Sequence, residues 1–171
     1  MYSDKSYEAY GRYLVTWDRL NAVLDAAIIK ETGLTPAHGV LLVGSLTYKS
    51  RLGVLRSLLG MAGGSKADAI PLLTEIAQDS KRQPMVQGVA ADGPAGSLSF
   101  TRHDLSVRLG AAVVTYQSDE IETAAEELAT DIDAIQQALG ITEADLAQIQ
   151  HVVAATLTKR KKDKEAEAAD A

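Results

Sequence analysis

The stretch YGRYLVTWDRLNAVLDAAI, residues 10–28, decides the fold. Its large apolar residues recur at steps of three and four, the spacing of one buried stripe on an amphipathic helix. The stripe consists of Tyr10, Leu14, Trp17, Leu20, Leu24 and Ile28. It predicts a helix over about residues 3–32, which Gly33 can end in a left-handed conformation. A helix of that length would be the spine of a bundle.

The same period continues beyond this first helix. Thr35 followed by Pro36 is typical of a helix start, with threonine as the cap and proline at the first helical position. Further helices are predicted over about residues 36–46, 47–61, 65–83, 118–140 and 142–158. The helix over residues 65–83, the fourth of the chain, should weaken before Pro84, because the residue that precedes a proline disfavours helical backbone. Glycine and alanine in the second helix indicate a close approach to a neighbouring helix.

A period of two interrupts the helices over residues 89–116. Leu98 and Phe100 alternate with polar neighbours, as do Leu105, Val107 and Leu109, which favours a short β-hairpin over about residues 95–116 or a small meander. The predicted fold is therefore mostly α: an up-and-down helical bundle with a β-hairpin insertion before the C-terminal helices. One domain is predicted over residues 1–158. Residues 159–171 are charged and carry no core residue, so we expect a fraying helix or a disordered tail.

Composition and charge restrict the function classes. The chain has 171 residues, no cysteine and a net charge of -6. Without cysteine there are no disulfides, thiolate zinc sites or cysteine nucleophiles. The acidic balance argues against a general nucleic-acid coat protein, which needs a positive field. The polar N-terminus and the shortness of the apolar runs predict a cytoplasmic protein with no membrane segment.

The obvious cofactor and metal motifs are missing. The glycine-rich stretch before Lys66 lacks the second glycine of a phosphate loop, and Ala67 stands where that motif has serine or threonine. It follows a helix, so it predicts a helix end and a turn. His38, His103 and His151 lie in different predicted elements, and none has a second histidine at helical ligand spacing. We therefore expect no metal and no cofactor.

Two short motifs together resemble a known family. The first helix contains Trp17-Asp-Arg-Leu20-Asn21, and the fourth leads into Arg82-Gln-Pro-Met-Val-Gln-Gly88. This order, followed by a hairpin and C-terminal helices, resembles the bacterial HEPN-like proteins. They form a helical-bundle superfamily that includes RNA-cleaving toxins and defence effectors. The resemblance implies a homodimer that pairs through the bundle helices and brings the two motif regions together.

The departures from the family pattern bear on activity. The subgroup that this chain resembles reads Arg-Asn-x-Leu-Val-His-Gly, and its arginine and histidine act on RNA without a metal. Here the histidine position is Gln87, the asparagine position is Gln83, and the helix-one glutamate position is Asn21. An amide cannot act as a general acid or base. The resemblance thus implies a non-catalytic module that binds a protein or RNA partner, with Arg82, Gln83, Gln87 and Asn21 as candidate binding residues.

Three other interpretations stay open at this point. Arg82 could cap the C-terminus of the fourth helix, where a cation is favourable by ~0.3–1 kcal/mol. The chain could be a ribonuclease in which Arg82 works with a histidine from elsewhere, such as His103. It could also be a small protein-binding inhibitor or antitoxin-like protein in a defence or mobile-element setting.

Overall fold

A computed structural model describes residues 4–79, 81–104 and 110–169. This part is mostly helical and includes one small antiparallel sheet, which confirms the predicted mixture of elements. The helices are α1 (Asp4–Thr32), α2 (Pro36–Gly44), α3 (Tyr48–Ala62), α4 (Ala69–Gln78), α5 (Arg82–Gln87), α6 (Ser118–Leu139) and α7 (Glu143–Ala169). The strands are β1 (Val89–Asp92), β2 (Leu98–Asp104) and β3 (Gly110–Tyr116).

Helix α1 follows its predicted stripe closely. Trp17, Leu20, Leu24 and Ile28 are buried, whereas Tyr10 and Leu14 are half-buried. The helix ends where Gly33 takes a φ of +65°, a left-handed conformation that glycine adopts without a Cβ clash.

The starts of the next two helices are also as predicted. Thr35 accepts a hydrogen bond from the His38 amide at the start of α2, and Pro36 occupies the first turn. Thr47 accepts a hydrogen bond from the Ser50 amide at the start of α3. Gly39 confirms the close approach expected of α2, because a Cβ atom there would collide with the side chain of Ile29 on α1.

The glycine-rich stretch is a helix end and a turn, as predicted. Gly63 closes α3 with a φ of +64°, and its amide donates to the Leu59 carbonyl at 3.0 Å. A 3-10 turn over Gly64–Asp68 then leads into α4.

The predicted fourth helix is in fact two helices. Helix α4 ends at Gln78, and α5 begins at Arg82 with Pro84 in its first turn. The Asp79 carboxylate accepts a hydrogen bond from the Lys81 amide at 2.9 Å, which forms a local turn between the two helices. Proline is tolerated early in a helix because the amide that it lacks would have no helical partner there. The position of Pro84 thus marks a new start.

The sheet has three antiparallel strands in the order β1-β2-β3, which is a small meander, one of the two arrangements that the sequence predicted. The β2–β3 pair is the predicted hairpin, with Phe100 opposite Val114. Strand β1 was missed; it pairs antiparallel with β2 and places Ala90 opposite Phe100. The predicted alternation of Leu105, Val107 and Leu109 lies outside the described residues.

Capping hydrogen bonds mark the starts of the two C-terminal helices. The Gln117 amide donates to the Glu120 carboxylate at 2.7 Å, so the N-cap of α6 is residue 117, one before the predicted helix start at residue 118. At α7 the predicted Thr142 exchanges hydrogen bonds with Asp145, and these bonds lower the pKa of the Asp145 carboxyl. Helix α7 continues to Ala169, although the sequence also allowed a disordered tail after residue 158.

The chain divides into two compact units. The first contains residues up to Leu20 together with Pro71–Ala134, and the second contains Asn21–Ile70 together with the residues from Ile135 onward. The prediction of one domain over residues 1–158 stays a prediction. None of the helices in the described ranges combines the length and apolar character needed to cross a membrane.

In the first unit the sheet is attached to α1 by aromatic and polar contacts. The Tyr10 hydroxyl donates to the Met85 carbonyl at 2.8 Å, and its ring meets the edge of Phe100 at 5.1 Å. The Ser6 hydroxyl donates to the Gly96 carbonyl at 2.6 Å. Met85 and Phe100 are fully buried, so this attachment is part of the core of the first unit.

Candidate functional site

The motif arginine contacts the motif tryptophan. The guanidinium carbon of Arg82 lies 5.5 Å from the centre of the Trp17 ring, within the range of a cation–π interaction. Trp17 is buried and Arg82 is half-buried. Arg82 stands at the start of α5, four residues after the end of α4, and the interpretation of this residue as a cap of the α4 C-terminus stays a prediction. The structure therefore gives Arg82 a packing contact with α1.

Gly88, the last residue of the motif, is required by packing. Its amide donates to the Pro84 carbonyl at 2.9 Å and closes α5. A Cβ atom at this position would collide with that carbonyl oxygen and would lie 3.3 Å from the Cβ of Phe100. The glycine thus allows α5 to approach strand β2, which accounts for this part of the motif without reference to catalysis.

Asn21 belongs to a different charge cluster, in the second unit. Arg51 on α3 places its Nε 2.7 Å from a carboxylate oxygen of Asp25, and both side chains are 18% exposed. The same guanidinium donates to the Asn21 side chain at 3.4 Å and to the Val43 carbonyl at 3.2 Å. Burial raises the pKa of Asp25 to about 6, and the positive charge of Arg51 acts in the opposite direction. Asn21 therefore helps to hold an ion pair between α1 and α3.

The structure places the remaining candidate residues only in part. Gln87 is exposed at the end of α5. His103 pairs with Ala111 in the sheet register, but its side chain lies outside the described part of the chain, as does that of Gln83. Among the described side chains, then, the structure brings together Trp17 and Arg82, and it places Asn21 with Arg51.

The most distinctive feature of the first unit is a cavity of about 660 Å³ beside Trp17. Helices α1, α4 and α6 and the turn after α4 form its walls. Four carboxylates line it, together with the ammonium group of Lys81, which lies 3.5 Å from Glu127. The carboxylates are those of Glu75, Asp79, Glu127 and Asp131. Arg82 is not among the lining residues. The lining therefore carries four acidic side chains and one basic side chain, so this cavity is strongly acidic.

The spacing of the four acids concentrates their charge. Glu75 and Asp79 are four residues apart on α4 and the turn after it, and Glu127 and Asp131 are four residues apart on α6. On a helix, like charges at this spacing repel each other by ~0.2–0.5 kcal/mol per pair. This arrangement opposes folding unless something offsets the repulsion.

The crowding of negative charge affects the pKa of Asp131. Burial raises the pKa of its carboxyl above the ordinary value, and the negative charges of Glu75, Glu127 and Asp79 raise it further. Burial also raises the pKa of the nearby Tyr116 hydroxyl, with smaller contributions from Asp79 and Glu120. Each shift disfavours negative charge at this site, so a bound cation would be stabilised there.

These acids do not form a metal site. Within the described part of the chain, no group of three or more His, Cys, Asp or Glu side chains is arranged to hold a metal ion. A hard divalent cation needs several oxygen ligands at about 2.0–2.6 Å. The cavity instead offers carboxylates spread over its walls beside an indole ring, which suits an extended organic cation.

Sequence reasoning missed this cavity. In the sequence, Glu127 stands beside Glu126 in a strongly acidic helix, a pattern that is typical of solvated helix surface. The signal that could have found the site is the pair of acids at a spacing of four, repeated on two helices about fifty residues apart. Only the fold brings those two pairs to one cavity.

Comparison with protein-family models, with curated proteins and with solved structures found no match to this chain. The site is therefore interpreted from its own geometry and charge.

Proposed function

We propose that this protein is a non-catalytic interaction module whose acidic cavity binds a lysine- or arginine-rich segment of a partner protein. The observation that carries the proposal is the cavity beside Trp17, lined by four carboxylates and one lysine. A cationic side chain entering it would offset the mutual repulsion of the acids. Trp17 adds an aromatic wall that can pack against the methylenes or the charged end of such a side chain.

The same electrostatics make RNA a poor ligand for this cavity. Phosphate groups need a positive surface, whereas the cavity holds a single lysine against four acids. Arg82 contacts Trp17, so this arginine has a structural role in the first unit. These observations favour a protein partner over a nucleic acid. The ribonuclease alternative keeps its own test, a search for RNA cleavage that depends on both Arg82 and His103.

Within this proposal we retain the HEPN-like assignment, the up-and-down bundle, the cytoplasmic location and the homodimer as hypotheses. The first-helix stripe is an unfavourable dimer surface, because Trp17, Leu20 and Leu24 are already buried within the chain. On α1 the most exposed large apolar residue is Val15, which is 72% exposed. It borders a groove of about 550 Å³ that α6 also lines. That groove is one surface through which the bundle helices could pair.

A second candidate function is a small protein-binding inhibitor or antitoxin-like protein. Helix α2 has no charged residue, and two of its leucines are exposed: Leu41 by 63% and Leu42 by 41%. Adjacent exposed leucines on an uncharged helix favour a protein contact. This surface belongs to the second unit, so it can be tested independently of the cavity.

The proposal is tested by calorimetric titration with a hexalysine peptide, with a hexaglutamate peptide and a single-stranded RNA hexanucleotide as comparison ligands. The wild type should bind hexalysine and neither anionic ligand. Asp131→Asn combined with Glu127→Gln should weaken hexalysine binding at least tenfold. The emission of Trp17, the single tryptophan of the chain, should change on binding and reach saturation together with the heat signal.

The matched control is Glu126→Gln. Glu126 lies next to Glu127 on α6 but borders the groove on the other side of the helix. Its substitution removes one negative charge and should change the affinity less than twofold. If Glu126→Gln lowers the affinity for hexalysine as much as the double variant does, hexalysine responds only to net charge. Binding of RNA without binding of hexalysine would overturn the proposal.

A further inference from the structure

Strand β3 leaves one edge of the sheet uncovered within the described part of the chain. It is the outermost strand of the order β1-β2-β3, and β2 is its neighbour along one side. Residues 112–115 are all exposed, including Val113 by 61% and Val114 by 37%. Alternate residues of an edge strand direct their amide and carbonyl groups away from the sheet, where they can pair with another strand.

The sequence of β3 lacks the features that normally protect such an edge. The strand is Gly-Ala-Ala-Val-Val-Thr-Tyr, seven residues without a charge or a proline. Exposed edges are usually blunted by lysine, proline, a bulge or shortness. The opposite edge of the same sheet is protected in this way, because β1 has four residues, ends in Asp92 and packs against α5. The two edges therefore differ in their capacity to accept another strand.

We propose that β3 pairs antiparallel with β3 of a second copy of this chain, so that two three-stranded sheets form one six-stranded sheet. A two-fold axis through Val113 would place Val113 opposite Val113 of the second copy. Ala112 would then lie opposite Val114, so that a small side chain meets a larger one. Residues directly opposite each other on one face have Cβ atoms about 4.5–5.5 Å apart, so these apolar side chains would be in contact.

Charge makes a second copy the best-matched occupant. In a two-fold pairing the residue on the axis meets its own copy and its neighbours lie close to theirs, so any charge there would be repelled by the same charge. Strand β3 carries no charge, which makes this repulsion zero. The arrangement also closes on itself, because joining β3 to β3 consumes both open edges. Joining β3 to β1 would instead leave an open edge on each copy and would build a chain of molecules.

The pairing is independent of the acidic cavity. It uses a different surface of the first unit from that of the four carboxylates, and it differs from the helical groove beside Val15. Failure of hexalysine binding would leave the dimer intact, and loss of the dimer would leave the cavity residues unchanged.

The test is the molar mass in solution of wild type, Val113→Lys and Val113→Asp, measured by light scattering at about 0.1 mM chain, where an interface of micromolar affinity is saturated. We expect twice the chain mass for the wild type. Each variant should have the mass of a single chain, because like charges then face each other across the axis. An equimolar mixture of the two variants should regain twice the chain mass, since lysine then faces aspartate.

Two control variants locate the interface. Val89→Lys places the same charge on β1, at a residue that is 67% exposed, and Val15→Lys places it on α1. Both should stay dimeric, and circular dichroism should show that all four variants keep the wild-type helix content. A wild type with the mass of one chain would overturn the proposal. So would a Val113→Lys protein that stays dimeric, or a dimer that Val15→Lys or Val89→Lys dissociates while Val113→Lys does not.

Discussion

The two units arrange their acidic side chains in opposite ways. In the second unit Asp25 has a partner: Arg51 lies 2.7 Å away and also bonds to Asn21 and the Val43 carbonyl. In the first unit Glu75, Asp79, Glu127 and Asp131 surround a cavity with Lys81 as the one cation among the lining residues. One cluster is balanced and closely packed, and the other is unbalanced around open space.

This difference separates a structural role from a binding role. A balanced pair fixes the packing of α1 against α3 and leaves no charge for a ligand. An unbalanced set of acids around a cavity raises the free energy of the folded protein alone and lowers it again when a cation enters. Substitutions in the two clusters should therefore change the free energy of unfolding in different ways.

The largest effect is expected from breaking the balanced cluster. Arg51→Met removes the cation and leaves a buried carboxylate without compensation, which should lower the free energy of unfolding by about 3–5 kcal/mol near pH 7. Urea denaturation followed by circular dichroism measures this change. Arg56→Met, on the same helix, is the control and should change stability by less than ~1 kcal/mol. Equal losses would mean that the ion pair has no special role.

The pH dependence of stability isolates Asp25 itself. Because burial raises its pKa from 3.8 to about 6, the folded state binds this proton more tightly than the unfolded chain does. Its contribution to stability is therefore complete below about pH 4 and is lost as the pH rises through about 6, with a loss of at most about 3 kcal/mol. Asp25→Asn stays neutral and should gain stability relative to the wild type between pH 4 and pH 7. A constant difference between the two proteins across that range would contradict this account.

A smaller loss of stability should follow removal of the Arg82 guanidinium that contacts Trp17. Arg82→Ala gives up the cation–π contact and should lower the free energy of unfolding by about 1–2 kcal/mol. Arg82→Lys keeps a positive charge near the ring and should lose about half as much. Thermal unfolding followed by Trp17 emission measures both. If neither variant loses stability but RNA binding by the wild type disappears in both, Arg82 is a phosphate ligand and not a packing residue.

The smallest expected change is a gain in stability. Asp131→Asn relieves repulsion within the unbalanced cluster and should stabilise the protein by ~0.2–0.5 kcal/mol at low salt, less at 1 M salt. Its neighbour on α6, Asp133, accepts a hydrogen bond from Arg19 at 2.8 Å, so Asp133→Asn should not stabilise. Chemical denaturation at two salt concentrations checks both variants. Destabilisation by Asp131→Asn would mean that this carboxylate is structural.

Local patterns predicted most of the helices. The stripe of α1, the threonine cap at Thr35 and the glycine at Gly33 depend on neighbours a few residues away, so the local sequence is enough to predict them. The alternation of Leu98 and Phe100 revealed strand β2 for the same reason.

The failures involve residues distant in the chain. Strand β1 has four residues and becomes a strand by pairing with β2. The contact of Arg82 with Trp17 joins residues 65 positions apart, and the sequence did not predict it. The acidic cavity likewise joins α4 to α6. No local pattern states which distant residues will meet.

The most direct test of the central claim is the pKa of the Asp131 carboxyl, followed by carbon NMR as a function of pH with and without hexalysine. In the free protein, burial and the neighbouring acids should hold this pKa above its ordinary value. Saturating hexalysine should lower it, because a bound cation favours the ionised form. A pKa that is the same in the presence and absence of the peptide would show that the cation does not enter the cavity, and would contradict the proposed function.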